Sequence, residues 1–253
     1  MAIRREEAFV LKRLSLRETS LLVTLFGRDA GKFKVLVKGA RREKNPLVAR
    51  FEPFTRLSVV YYETLKSDTH LASDTAVLDS NVFLRSRLDL FSYASYLTEL
   101  VDALFEISDP HPDVFELLAT SFSLFQEVPA VQVARAFEVK VLEKAGLVPV
   151  LTHCAFCGSF DFEETFFSPK QGGIICRKCD PKLTGTIPIS QATAKRLLFL
   201  FDAQMEQAAK LSLDVQTNRE LERICERFIQ FRLEYPLRST RFLAEVKPLL
   251  ARL

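Results

Sequence analysis

Four cysteines in the second half of the chain have the spacing of a metal site. Cys154 and Cys157 form one Cys-x-x-Cys pair, and Cys176 and Cys179 form a second after eighteen intervening residues. Each pair lets a tight turn aim two thiolates at one point, and two such turns complete a tetrahedron around Zn²⁺. The alternatives are two disulfides, for which nothing in the sequence suggests the export they require, or four unrelated buried cysteines. We predict one zinc ion, structural rather than catalytic because four thiolates leave no open coordination position.

Charge is distributed unevenly along the 253 residues. Residues 1–66 hold 15 Lys/Arg and seven Asp/Glu, a net charge of +8, whereas the remaining residues carry −5. A basic first quarter attached to an acidic remainder indicates a module that meets a polyanion. No apolar run approaches the ~18 residues that a membrane helix needs, so we expect a cytoplasmic protein without a membrane segment.

Residues 6–78 alternate apolar and polar side chains as β-strands do, with turn signals such as Gly27-Arg-Asp-Ala-Gly31 between them. Five short strands in under eighty residues predict a barrel of the OB type, a five-stranded Greek-key barrel that often binds oligonucleotides. The predicted strands are Ala8 to Leu14, Thr19 to Phe26, Lys32 to Lys38, Phe54 to Tyr62 and Leu71 to Leu78.

Cations cluster on the predicted third strand and in the loop after it. Alternation turns the lysines of the third strand away from its apolar residues, and the fourth strand repeats the pattern. Such a face can track a phosphate backbone with little sequence preference, although any exposed strand face must be polar and lysine also protects sheet edges. The predicted phosphate contacts are Lys32, Lys34, Lys38, Arg41, Arg42, Lys44 and Arg56.

Aromatic residues near these strands are candidates for stacking on bases. Phe51, Phe54, Tyr61 and Tyr62 lie close to the basic strands in sequence. Most of the 22 phenylalanines of the chain must form core, and alternation places Tyr62, a weak candidate, on the polar face.

From about Asn81 the apolar period becomes helical. The sequence predicts an α+β multidomain protein with an N-terminal OB-fold barrel (1–79), a helical bundle in two parts (80–153 and 183–253) and an inserted, zinc ribbon-like four-cysteine module (154–182). The predicted helices run from Ser80 or Asn81 toward Ile107, from Asp113 to Gln126, from Pro129 to Gly146, from Ser190 to Lys210 and from Gln216 or Thr217 to Tyr235.

One stripe of arginines recurs every four residues on the last predicted helix. Arg219, Arg223 and Arg227 form it, and Glu222 and Glu226 are close enough in sequence to pair with them. A solvated face with ion pairs is the favoured interpretation, and a contact with a duplex or a partner is the other.

The residue types of a catalytic site are present without its spacing. His70, His111 and His153 are scattered, and no Gly-x-Ser-x-Gly, His-Glu-x-x-His or phosphate-cradling glycine loop occurs. Asp161, Glu163 and Glu164 form a small acidic cluster that we interpret as an exposed loop. We expect a protein that is not an enzyme.

Three segments carry a family resemblance: Arg135-Ala-Phe137-Glu138-Val-Lys-Val-Leu142-Glu-Lys-Ala-Gly146-Leu-Val-Pro149 leading to Cys154-Ala-Phe-Cys157-Gly158, Lys38-Gly39-Ala40-Arg41-Arg42, and Pro236-Leu-Arg-Ser239-Thr-Arg-Phe-Leu243. They resemble segments of the bacterial recombination mediator family RecO. These segments span nearly the whole chain in the family's order. Asn45 departs from the serine that the family often carries after the basic loop.

The resemblance implies a non-enzymatic DNA repair protein, associated with the bacterial nucleoid. Members of the family bind single- and double-stranded DNA, anneal complementary strands, engage single-strand-binding protein and pair with RecR, so that RecA loads onto gapped DNA. Two alternatives stay open from the residues: a zinc-stabilised scaffold whose barrel binds a protein, and a zinc-containing nuclease.

Overall fold

The computed structural model describes residues 2–16, 18–40, 47–64, 67–160 and 164–250. The chain forms two compact units, one of Met1–Phe125 with Arg238–Leu253 and the other of Gln126–Leu237. The predicted domain boundaries after residues 79, 153 and 182 follow the linear chain. The units instead join segments that lie far apart in sequence, so these boundaries stay a prediction.

A closed five-stranded barrel forms the N-terminal part of the first unit. Its strand order is β1-β2-β3-β5-β4, with β3 and β5 parallel and the other neighbours antiparallel. This is the OB-type barrel that the alternating pattern predicted. The strands are β1 Ile3–Leu16, β2 Ser20–Gly27, β3 Gly31–Val37, β4 Arg56–Tyr62 and β5 Thr69–Asp79, and the short helix α1 is Leu47–Arg50.

The barrel interior is filled by the apolar half of each alternating strand. Phe33, Val35 and Val37 of β3 are buried with Leu57 and Val59 of β4, as the period of two requires. The predicted fold class is confirmed for this part.

Three helices follow the barrel in the first unit and cover part of its outer surface. Phe9 of β1 packs on Phe115 and Phe122, with ring centroids 4.8 and 5.4 Å apart. Gly31 has φ +66°, and a Cβ there would lie 2.1 Å from the carbonyl oxygen of Asp109, so only glycine fits this turn. The helices are α2 Phe83–Ser86, α3 Leu88–Leu104 and α4 Pro112–Leu124.

The C-terminal helix α9, Arg238–Leu250, returns to the first unit and packs against α3. The sequence pattern did not predict it. Its first backbone N–H groups are satisfied by Glu99 of α3, whose carboxylate accepts from Arg238 at 3.0 Å and from Ser239 at 2.7 Å. A cap supplied from 139 residues away leaves no local start signal in the sequence.

The second unit combines helices with a small antiparallel sheet of order β7-β6-β8. The sheet and a 3-10 turn at Asp180–Lys182 form the four-cysteine module that the spacing predicted. The elements are α5 Ala130–Lys144, β6 Thr165–Ser168, β7 Gly173–Cys176, β8 Ile187–Ile189, α6 Gln191–Asp202, α7 Met205–Ala209 and α8 Val215–Arg232.

Helix α5 is the buried centre of the second unit. Every residue from Val133 to Leu142 is buried, including Arg135 and Glu138, whose Nη1 and Oε2 atoms lie 2.7 Å apart. Lys140 is also buried and donates to the carbonyl of Phe201 at the end of α6. The single helix predicted from Ser190 to Lys210 is instead two helices, α6 and α7, because the backbone is extended at Ala203. The Lys140 ammonium lies at the C-terminal end of α6, where positive charge is favourable.

Candidate metal centre and nucleic-acid interface

The four predicted cysteines meet at one point. Their Sγ atoms all lie within 4.8 Å of one another, and Cys157 and Cys176 are 3.8 Å apart. A tetrahedral zinc ion with bonds of about 2.3 Å to sulfur places its ligands about 3.8 Å apart. All four cysteines are free thiols, so the disulfide alternative is wrong.

Two tight turns and one hairpin build this geometry. The N–H of Gly158 donates to the carbonyl of Cys154 at 2.8 Å, and the N–H of Cys179 donates to that of Cys176 at 3.0 Å. Gly158 has φ +75°, a conformation that glycine adopts without strain. The hairpin of β6 and β7 ends at Cys176 and delivers the second turn to the first. Gly173 has a close neighbour, since a Cβ there would meet the Val150 carbonyl oxygen at 2.4 Å.

The backbone prepares one sulfur for ionisation. Burial acts to raise the pKa of Cys154, but N–H groups of Cys176, Cys157 and Phe156 donate to its sulfur and bring the pKa down to about 6. Desolvation raises the pKa of Cys179 to about 12, together with hydrogen bonds to its neighbours and the charge of Cys154. A divalent ion displaces such protons, so metal affinity rises with pH.

His153 and Glu164, the described member of the acidic cluster, have their contacts away from the thiols. His153 Nδ1 lies 3.0 Å from the hydroxyl of Thr152, and its ring faces Phe160. Glu164 pairs with Arg177 at 2.7 Å on the surface, while Asp161 and Glu163 lie outside the described residues. The cluster offers four sulfur donors, which is the chemistry of a closed structural site.

The predicted phosphate contact Lys32 is occupied by an internal partner. Its side chain is only 12% exposed, and its ammonium group lies 2.5 Å from the carbonyl oxygen and 3.4 Å from the carboxylate of Asp102 on α3. Lys12 reaches the same carboxylate at 2.5 Å. The sequence pattern does not identify Asp102 as the partner of Lys32, because 70 residues separate the two and no spacing links them.

Lys34 and Lys38 remain open. Lys34 lies on the outer face of β3 opposite Thr24 of β2 and Thr69 of β5 and is half-buried, and Lys38 follows the strand and is exposed. Within the described part of the chain, neither has a carboxylate at ion-pair distance. Arg41, Arg42 and Lys44 lie outside the described residues.

Arg56 lies apart from these lysines. Its guanidinium donates to Glu7 and sits 5.8 Å from the centre of the Phe115 ring. Arg56 pairs in register with Asp79 at one end of β5, whereas Lys34 pairs with Thr69 at the other end. These two ends of β5 lie about 30 Å apart. Arg56 and the two lysines therefore do not form one continuous cationic patch.

Most of the candidate aromatic residues belong to the core. Phe51, Phe54 and Tyr61 are at most 5% exposed, whereas Tyr62 is 36% exposed on the outer face. Alternation had placed Tyr62 on that face, and it is the member of the four that a base can reach.

A closed five-stranded OB barrel with open lysines on and just after β3, in one chain with a four-cysteine cluster, defines an OB-fold protein with a metal-site module. No helix in the described ranges is long and apolar enough to span a membrane.

Comparison with known proteins gives the same protein family for both parts of the chain. Residues 1–79 match the family "Recombination protein O N terminal", and residues 85–241 match "Recombination protein O C terminal". The DNA repair protein RecO of Alkaliphilus metalliredigens (strain QYMF) is 31% identical over 91% of this chain and 94% of that protein. That of Anaeromyxobacter sp. (strain K) is 33% identical over 95% of this chain and 96% of that protein. This chain belongs to the RecO family of DNA repair proteins.

Proposed function

We propose that this chain is a non-enzymatic recombination mediator that acts at the nucleoid in the cytoplasm. It binds single- and double-stranded DNA, anneals complementary strands, and with RecR helps RecA to load onto gaps covered by single-strand-binding protein. Family membership supports the repair role. One structural observation supports the DNA contact, namely that Lys34 on the outer face of β3 and Lys38 just after this strand have no carboxylate at ion-pair distance among the described residues.

The position of these lysines suits a phosphate backbone. OB barrels commonly hold oligonucleotides across β2 and β3, and Lys34 of β3 pairs in register with Thr24 of β2. Lysines that meet phosphates position a strand without reading its bases, which a mediator acting at any damage site requires. We assign phosphate contact to Lys34 and Lys38 with Arg41, Arg42 and Lys44, while Lys32 and Arg56 neutralise Asp102 and Glu7.

We propose Zn²⁺ as the ion of the thiolate cluster, one per chain. Cys154, Cys157, Cys176 and Cys179 would hold it, and tetrahedral sulfur coordination selects zinc or iron–sulfur chemistry among common metals. Two Cys-x-x-Cys turns around one point match the zinc ribbon arrangement. Metal analysis of the purified protein tests this, and less than one zinc per chain would contradict it.

The DNA contact is tested by fluorescence anisotropy of a labelled mixed-sequence single strand at several salt concentrations. Lys34→Glu/Lys38→Glu should bind more weakly, with a slope of log K against log salt shallower by at least about 1.4, since each lost contact removes about 0.7. Lys170→Glu/Lys210→Glu, two exposed lysines of the other unit, makes the same charge change away from the barrel and should bind like the wild type.

Two further arms complete this experiment. Arg41→Glu/Arg42→Glu should act like the β3 variant and to a similar extent for all sequences. Labelled DNA incubated with Mg²⁺ or Mn²⁺ should stay intact, and turnover would overturn the non-enzymatic assignment. Salt-independent binding by the wild type would overturn the phosphate-tracking proposal.

A barrel that binds a protein is the second candidate, because its outer face also carries a leucine row. Leu14 is 58% exposed and pairs in register with Leu22, which pairs with Leu36. Leucines do not stack on bases, but they do anchor protein partners. In that case Leu14→Ser should abolish capture of a partner while leaving DNA anisotropy unchanged.

A further inference from the structure

Helix α8 presents a stripe of arginines to solvent. Arg219, Arg223 and Arg227 are all exposed, while the opposite face of the helix buries Leu221 and Phe228 among others. Residues four apart on a helix lie on one side with a rise of about 6 Å between them. The three guanidinium groups therefore form a row rather than a scatter.

These arginines lack the ion pairs that their sequence neighbours suggested. No carboxylate of the described residues lies within ion-pair distance of Arg219, Arg223 or Arg227, and Glu226 is exposed on the same helix without bonding them. These arginines are therefore exposed to solvent, as the favoured interpretation expected, but have no ion pairs with the described residues. Like charges four residues apart destabilise a helix slightly, so the row gives no benefit to the isolated fold.

Aromatic side chains continue the row toward the C-terminal end of α8. Phe231, four residues after Arg227, is 52% exposed, and Tyr235, just beyond the helix, is 73% exposed. The guanidinium of Arg232 lies 5.6 Å from the centre of the Phe231 ring. Open arginines beside exposed rings combine the two features with which proteins hold single strands, phosphate neutralisation and base stacking.

We propose that α8 is a second nucleic-acid surface of this chain, holding the phosphate backbone of a single strand on Arg219, Arg223 and Arg227 and stacking a base on Phe231. Its positive row complements a polyanion, and its rings favour a nucleic acid over an acidic protein segment. This inference rests on the proposed DNA-handling function. It extends that function, because α8 and the barrel belong to different units, so one chain has a surface for each of two strands.

The test compares single-strand binding and annealing by four purified full-length proteins. They are the wild type, Arg219→Gln/Arg223→Gln/Arg227→Gln, Lys34→Glu/Lys38→Glu, and a control, Lys144→Gln/Lys170→Gln/Lys210→Gln, which removes three exposed positive charges elsewhere in the same unit. The α8 variant should have a salt slope shallower by about 2 and slower annealing, and the control should match the wild type. Phe231→Ala should weaken binding about fivefold without changing the salt slope.

The outcomes separate the two proposals. An α8 variant that binds and anneals like the wild type, with the β3 variant impaired, overturns the α8 surface and leaves the barrel site standing, even if that α8 variant loses a protein partner. An impaired α8 variant with a normal β3 variant supports α8 and removes the barrel site. A wild type that binds no DNA at low salt overturns both. Circular dichroism confirms that each variant is folded.

Discussion

The thiolate cluster and the cationic face of the barrel are built on opposite principles. In the second unit four identical ligands converge until their sulfur atoms lie within 4.8 Å, and every one is used by the cluster itself. In the barrel, Lys32 and Arg56 pair with carboxylates of the same chain, and the DNA contact is proposed for Lys34 and Lys38, which have no such pair among the described residues. A metal site depends on groups that meet, whereas a phosphate surface depends on groups that stay unpaired.

Breaking the cluster should produce the largest effect. Cys157→Ser removes one ligand, and because structural zinc contributes on the order of 10 kcal/mol to small metal-dependent folds, we expect the second unit to lose its metal and several kcal/mol of unfolding free energy. Thermal melting and metal analysis measure both. Cys225→Ala is the matched control, since this buried thiol lies on α8 outside the cluster and its loss should leave the metal bound. An unchanged melting curve for metal-free protein would contradict a structural role.

The buried ion pair of Arg135 and Glu138 on α5 is a second place where groups of this chain partner one another. Arg135→Ala should lower the unfolding free energy by about 3–5 kcal/mol, because it leaves the Glu138 carboxylate buried without its charge partner. Arg135→Met/Glu138→Leu should cost far less, since both charges disappear together. Urea denaturation measures the difference, and equal losses in the two variants would refute this account.

The difference between paired and unpaired lysines of the barrel is tested by replacing one of each kind with alanine. Lys32→Ala should destabilise the first unit by about 1–3 kcal/mol, because Asp102 loses a partner, and should leave the DNA salt slope unchanged. Lys38→Ala should do the reverse. If both variants changed DNA binding equally, internal pairing would not be what separates these lysines.

The smallest expected effect concerns a carboxylate that joins α6 to α8. Burial acts to raise the pKa of Glu220, but hydrogen bonds from Thr193, Ser190 and Gln216 outweigh it and the pKa lies below its ordinary value. Its contribution is therefore present at pH above that ordinary value and is lost as pH falls through the lowered pKa. Glu220→Gln should cost at most about 1 kcal/mol at pH 7 and flatten the acid limb of a stability–pH curve. If the stability of the variant fell more steeply at acid pH than that of the wild type, the predicted direction of the pKa effect would be wrong.

The arginine row of α8 shows where the sequence pattern and the structure agree and where they differ. Spacing placed Arg219, Arg223 and Arg227 on one helix face, and the structure agrees. The pattern also placed carboxylates within reach, but side-chain geometry, not spacing, decides whether such ion pairs form. Helix α9 is a second case, because its cap is Glu99, far away in sequence.

The sequence by itself determined the features that depend on near neighbours. The two Cys-x-x-Cys turns and the alternation that fills the barrel both follow from residues a few positions apart, whose geometry the backbone fixes. The tertiary structure decided which charges stay free. Asp102 takes Lys32, Glu7 takes Arg56, and the end of α6 takes Lys140, each across a gap that no local pattern spans. A charge that folding removes from water needs a partner, and only the folded chain shows which partner is near.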